Sequence, residues 1–344
     1  MYDFLNDYNQ TVHPDLLKEF IDINNKKLSG YGLDDCCNDA INHIREILKS
    51  PNADIHFMAG GTMTNLTVIS HILKPYQAVI AAETGHINVH ETGAIEATGH
   101  KVVTVKTKDG KLTPELIKPV LDYHCDEHMV QPKLVYISNT TELGTIYSKQ
   151  ELQNLYQFCQ QNHLYLYLDG ARLAMALAAK DNDITFPDLA QYTDAFYIGG
   201  TKVGAFAGEA LVFNNHNINH DFRFNMKQKG AILAKSWIIA VQFKALMQNN
   251  LYLSLGKHSN SMAEKLTTLF EKAGFTFAAK PQTNQLFVLL PNQLAQKILS
   301  VYEVDNLGQS DPEHICLRFC TSWSTQEVEI ENFAKQLTTL LKEE

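Results

Sequence analysis

The stretch LYLYLDGARLA, Leu164 to Ala174, places five apolar or aromatic residues in unbroken succession ahead of a carboxylate, a glycine and an arginine. A strand with one wet face alternates, whereas a continuous run suits a strand covered on both faces, as in a mostly parallel sheet between helix layers. Asp169 then stands at the carboxyl end of that strand, the edge at which open α/β sheets bind their ligands.

Working outward, runs of the same kind recur at residues 55–58, 78–81, 102–105, 134–138 (LVYIS), 195–198 and 210–213. Helical patterns at 62–73, 114–123 and 149–162 separate several of them. Upstream, Cys37, Ala40, Ile41, Ile44, Ile47 and Leu48 recur at helical spacing and Pro51 closes the segment. Beyond residue 251 the order becomes helix (256–273), strand (285–290), helix (292–301), strand (315–319) and a final helix from 325. The expectation is an N-terminal arm (1–30), a large α/β domain (31–250) with a mostly parallel seven-stranded sheet flanked by helices, and a smaller α+β domain (251–344). A chain of 344 residues, 45% hydrophobic, is long enough for one large and one small core.

Composition narrows the partners. A formal net charge of -9 and the absence of a Lys/Arg run disfavour nucleic acid. The opening residues MYDFLNDYNQTVHP hold no basic stretch followed by an apolar one, and no uncharged apolar run approaches the roughly 20 residues that cross a bilayer. A soluble cytoplasmic protein without a membrane partner is expected, its six cysteines free thiols because they lack CxxC spacing.

Four segments carry candidate chemistry. FMAGGTMTNL (57–66) joins a strand to a helix through two glycines and a threonine. Backbone N–H groups at such a helix start can hold a phosphate, although an ordinary strand-to-helix turn reads the same way. The pattern is neither GxxxxGK[ST] nor GxGxxG, so a nucleotide gains no support. In LYLYLDGARLA, Asp169 can pair with a pyridinium N–H, which the ring of pyridoxal 5′-phosphate (PLP) needs in order to accept electrons. Arg172 can turn its guanidinium toward a substrate carboxylate, and an N-cap Asp followed by a helical Arg gives the same pattern. DAFYIGGTKVGAFAGEALVF (194–213) exposes Lys202 in a glycine-rich turn between strands, where partial desolvation frees an amine for Schiff-base chemistry. AAETGHINVHETGAIEATGH (81–100) follows a strand and offers His86, whose ring can stack on a flat cofactor and whose nitrogens can move protons. His86, His90 and Glu91 lack HExxH order and a clear third ligand, so no metal is expected.

In this order the four segments resemble the L-threonine aldolase and β-eliminating lyase group of fold-type-I PLP-dependent enzymes, from YGLDD at Tyr31 to RFCTSW at Arg318. The resemblance implies a fold-type-I PLP-dependent transferase architecture in which Gly61 and Thr62 bind the cofactor phosphate. His86 would stack on the ring, Asp169 would meet the pyridine nitrogen and Lys202 would form the Schiff base. Arg172 and Arg318 would hold the carboxylate of a small amino-acid substrate, with Asn6 beside it. The chain departs from the group at Thr201-Lys202-Val203, where Ser-Lys-Gly is usual, at Asn6-Asp7-Tyr8 in place of Ser-Asp-Thr, and at Met226 to Trp237 in place of a GGGMRQ-like segment. The group also implies a homo-oligomer, a dimer or homotetramer, with Lys229 or Lys235 within reach of a neighbour's phosphate.

The reaction implied is cleavage of L-threonine, L-allo-threonine or a similar β-hydroxy-α-amino acid to glycine and an aldehyde, with His86 as candidate base. β-Elimination or transamination on the same scaffold, and a PLP-fold module without catalysis, are the alternatives.

Overall fold

The computed structural model describes residues 2–342. Its centre is a seven-stranded sheet of β1 (Asp54–Met58), β2 (Gln77–Ala82), β3 (Lys101–Val105), β4 (Gln131–Ser138), β5 (Tyr165–Asp169), β6 (Ala195–Gly199) and β7 (Glu209–Phe213). Across the sheet the order is β1-β7-β6-β5-β4-β2-β3. β7 alone runs against its neighbours β1 and β6, and the remaining pairs are parallel.

Every residue of β2, β6 and β7 is buried, as their continuous apolar runs require. Alternation sends Ile80, Ile137, Leu166, Leu168, Phe196 and Ile198 into one core and Val79, Ala81, Tyr136, Tyr167 and Tyr197 into the other. Helix Asp35–Leu48 closes the first face with Cys37, Ala40, Ile44 and Leu48, and Asp34 caps it by accepting the Cys37 N–H at 2.9 Å. Such a cap is worth about 1 kcal/mol. Tyr136, Tyr167 and Tyr197 share one face of three neighbouring strands, so their hydroxyls gather below the end of β5.

A second, antiparallel sheet of β8 (Thr276–Phe277), β9 (Gln285–Pro291), β10 (Asp305–Gln309) and β11 (His314–Cys320) has the order β10-β11-β9-β8. Its core holds Leu286, Val288, Leu317, Phe319 and Phe333. The N-terminal segment reaches this unit, with Phe4 in its core and Tyr2–Asp3 paired in parallel with Tyr302–Glu303.

Helix Leu251–Lys272 begins five positions before the expected Gly256. Gly256 is an interior packing position: a Cβ there would lie 2.3 Å from the Ala174 carbonyl oxygen of helix Leu173–Leu177. The helix contributes Tyr252 and Leu255 to the large core and Met262, Leu266 and Phe270 to the small one. Among the described residues all six cysteines are free, no group of side chains could hold a metal ion, and no helix is long and apolar enough to cross a membrane.

Candidate active site

A cavity of about 300 Å³ opens at the carboxyl ends of the parallel strands. Gly60, Gly61 and Thr62 enter it after β1, His86 after β2, Ser138 and Glu142 at and after β4, Asp169 and Arg172 at and after β5, and Lys202 after β6. Glu209 reaches the same edge because β7 is antiparallel, and Tyr8 comes from the N-terminal segment.

Gly61 begins helix Gly61–Ile72, whose N-cap, Gly60, supplies no side-chain hydrogen bond. Free N–H groups and the positive end of the helix dipole therefore face the cavity, the arrangement that takes a phosphate. A Cβ on Gly60 would meet nothing within 4 Å, whereas one on Gly61 would lie 3.2 Å from the Tyr197 hydroxyl.

Asp169 is buried yet charged. Its Oδ1 accepts the Tyr197 hydroxyl at 2.5 Å and the Ala171 N–H at 3.0 Å, and its Oδ2 accepts the Tyr136 hydroxyl at 2.7 Å and the Asn65 amide at 3.1 Å. Burial alone would raise its pKa; His86 and these donors outweigh it and hold the carboxyl below the usual aspartate range. Asn65 also donates to Glu91 Oε1 at 2.7 Å, and that oxygen lies 2.7 Å from His86 Nδ1. A hydrogen-bonded chain thus joins His86 to Asp169 and leaves His86 Nε2 free of it.

Lys202 forms neither a hydrogen bond nor an ion pair among the described residues. Burial and the nearby Arg172 push its pKa down, against the opposing pull of Asp7, Asp169 and Glu209. Glu142 is held by the His86 backbone N–H at 2.9 Å and the Ser138 hydroxyl at 2.7 Å, and burial raises its pKa.

Arg172 is engaged side-on by Asp7, with Nε to Oδ2 at 2.7 Å and Nη2 to Oδ1 at 3.1 Å. Burial opposes the charge on Asp7, but Arg172, Lys202 and the Asn284 amide hold its pKa down at about 2. The pairing uses one edge of the guanidinium and leaves the Nη1/Nη2 edge for a second carboxylate.

Of the residues singled out in the sequence, Gly61, Thr62, His86, Asp169, Arg172 and Lys202 line one cavity, and Asn6 and Arg318 stand outside its lining. Asn6 turns its carbonyl back onto the Tyr8 N–H, because the segment bends there. Arg318, on β11, pairs with Asp305 at 2.8 Å, while its Nε is buried without an acceptor. Asn65, Glu142, Glu209 and the tyrosines carry no local sequence signal of their own, and Asp7 and Glu91, although they belong to the Asn6-Asp7-Tyr8 and His86–Glu91 segments, gain their roles only by convergence in space. An unpaired amine, a buried carboxylate and an uncapped helix start on one cavity match the aldehyde, ring nitrogen and phosphate of PLP.

The family described as beta-eliminating lyase matches residues 22–293. The low specificity L-threonine aldolase of Pseudomonas sp. (strain NCIMB 10558) is 28% identical, over 90% of this chain and 90% of that protein. The solved structure of Leishmania major threonine aldolase superimposes with a TM-score of 0.97 at 46% identity, covering 99% of each chain. A structure of SPT with PLP, 16% identical and covering 98% of this chain and 86% of that one, shares the fold at a TM-score of 0.72.

Proposed function

The chain belongs to the beta-eliminating lyase family, and from that premise we propose that it is a PLP-dependent threonine aldolase cleaving L-threonine or L-allo-threonine to glycine and an aldehyde. The observation that carries this reading is the meeting of Lys202, Asp169 and the start of helix Gly61–Ile72 on one cavity. When bound, PLP supplies an electron sink for the pair released as the Cα–Cβ bond breaks.

Lys202 would hold the cofactor, and burial together with the nearby Arg172 lowers its pKa, which favours the free amine. Gly61 and Thr62 would hold the phosphate at the start of helix Gly61–Ile72. Asp169, kept anionic by Tyr136, Tyr197 and Asn65, would hold a proton on the ring nitrogen. His86 would cover the ring; with Nδ1 fixed by Glu91, its Nε2 would take the β-hydroxyl proton directly or through a water. Arg172 offers its remaining edge to the substrate carboxylate. Arg318, outside the cavity lining and paired with Asp305, would become the second carboxylate ligand by turning its guanidinium inward, with Asn6 on the neighbouring segment.

The working protein is a cytoplasmic homo-oligomer, a dimer or tetramer. The apolar side chains of Tyr31, Phe224 and Ile232, which line one open depression, support association, because a contiguous apolar patch gains by burial.

Lys202→Ala tests the reading. Wild type mixed with PLP should gain visible absorption, release glycine and acetaldehyde from L-threonine, and keep the cofactor on Lys202 after borohydride reduction and peptide mapping. The variant should lose cleavage by about a thousandfold or more. Attachment at another lysine, or pyruvate and ammonia from serine with no threonine cleavage, would overturn it.

A further inference from the structure

Glu142 follows β4 and lines the cavity, yet neither cofactor nor substrate binding gives it a task in the reading above. β2 and β4 pair in parallel, so the segments leaving their carboxyl ends meet. There Glu142 Oε1 accepts the His86 backbone N–H at 2.9 Å, across 56 positions of sequence. That N–H opens the single turn His86–Val89, whose N-cap, Gly85, has no side chain to receive it. A Cβ at position 85 would lie 3.0 Å from the Ala82 carbonyl oxygen, so a serine or aspartate cap in its place would crowd the backbone. The acceptor therefore comes from the neighbouring strand. Glu142 is itself held: its Oε1 also accepts the Ser138 hydroxyl at 2.7 Å, and the Ser138 oxygen lies 3.3 Å from the Tyr136 hydroxyl that donates to Asp169.

His86 is thus pinned at two points. Glu91, five positions on in the same segment, fixes the ring at Nδ1, and Glu142 fixes the backbone. Both connections run on to Asp169 Oδ2, one through Asn65 and the other through Ser138 and Tyr136. With ring and backbone both fixed, the place of Nε2 over the cavity is fixed as well. Resting on the function read above, we infer that Glu142 is the positioning residue of His86: its carboxyl oxygen, as an acceptor, sets the distance between Nε2 and the substrate β-hydroxyl. Glu142 exchanges no proton in this role, and the rate depends on it through His86.

The test separates the step that needs His86 from binding that does not. On full-length protein saturated with PLP, kcat is measured for L-threonine, and the Kd of glycine, which has no β-hydroxyl, is read from the change in visible absorption. Glu142→Ala should lower kcat by about a hundredfold, the cost of a base displaced by about 1 Å, and leave the glycine Kd within about twofold of wild type. Glu142→Gln presents the same acceptor and should keep kcat within about threefold of wild type. Glu142→Asp, one methylene short, should lower kcat by about tenfold at unchanged glycine affinity, and decides the matter if Glu142→Ala does not fold. A glutamine variant as slow as the alanine one overturns the inference, because the carboxyl would then take part in the chemistry itself. Loss of glycine binding in step with kcat, or a kcat that none of the folded variants changes, overturns it too. Wild type that binds glycine but does not cleave L-threonine would refute the functional reading instead, and is scored before any variant.

Discussion

At the scale of the residue, Asp7 shows how one side chain carries both stability and function. Its carboxylate has no exposure, pairs twice with Arg172 and accepts from Asn284. Its folded pKa of about 2 lies below the ordinary aspartate value of about 3.9. The pair therefore contributes its full stability above pH 4 and loses it as pH falls through 2. The linked free energy is about 2 to 3 kcal/mol. Asp7→Asn leaves the Arg172 charge buried without a partner, which should cost about 3–5 kcal/mol at pH 7. Urea unfolding between pH 2 and pH 7 should show that penalty shrinking as pH falls, and a pH-independent penalty would contradict the pairing. The same substitution should raise KM for the amino acid more than it lowers kcat, because Arg172 loses the group that orients it. None of this was legible in the Asn6-Asp7-Tyr8 stretch, since Arg172 lies 165 positions away.

At the scale of the element, the large-sheet strands were readable because the signal for a doubly covered strand is local. Seven apolar runs became seven strands, displaced at their ends by no more than three residues. The start of helix Leu251–Lys272 was not readable, since a glycine in a helical pattern usually marks an end and here marks a contact. Within a helix, Gly→Ala ordinarily stabilises by about 1 kcal/mol. Gly256→Ala should instead destabilise by about 1–3 kcal/mol, because the new Cβ meets the backbone of helix Leu173–Leu177 at 2.3 Å. Chemical denaturation gives the sign, and a stabilised variant would show that the two helices can separate freely.

At the scale of the whole molecule, two cores are tied by one continuous helix and by an N-terminal segment that has Phe4 in the small core and Asp7 on Arg172 of the large one. Calorimetry should record one unfolding transition, and PLP at a hundred times its Kd should stabilise all of it by about 2.7 kcal/mol. Two separate transitions, only one responding to PLP, would mean that the units melt apart. The sequence by itself determined the layered α/β sheet, the edge at which its cavity opens and six residues that line that cavity, since apolar runs and the polar residues ending them are patterns of near neighbours. Tertiary structure alone decided which charges are paired, that Arg172 faces Asp7, that Asp169 rests on tyrosines from β4 and β6, and that Glu209 closes on the Lys202 turn. Burial and charge pairing depend on which distant strands become neighbours, and a strand's own residues do not encode the desolvation that makes those pairs matter.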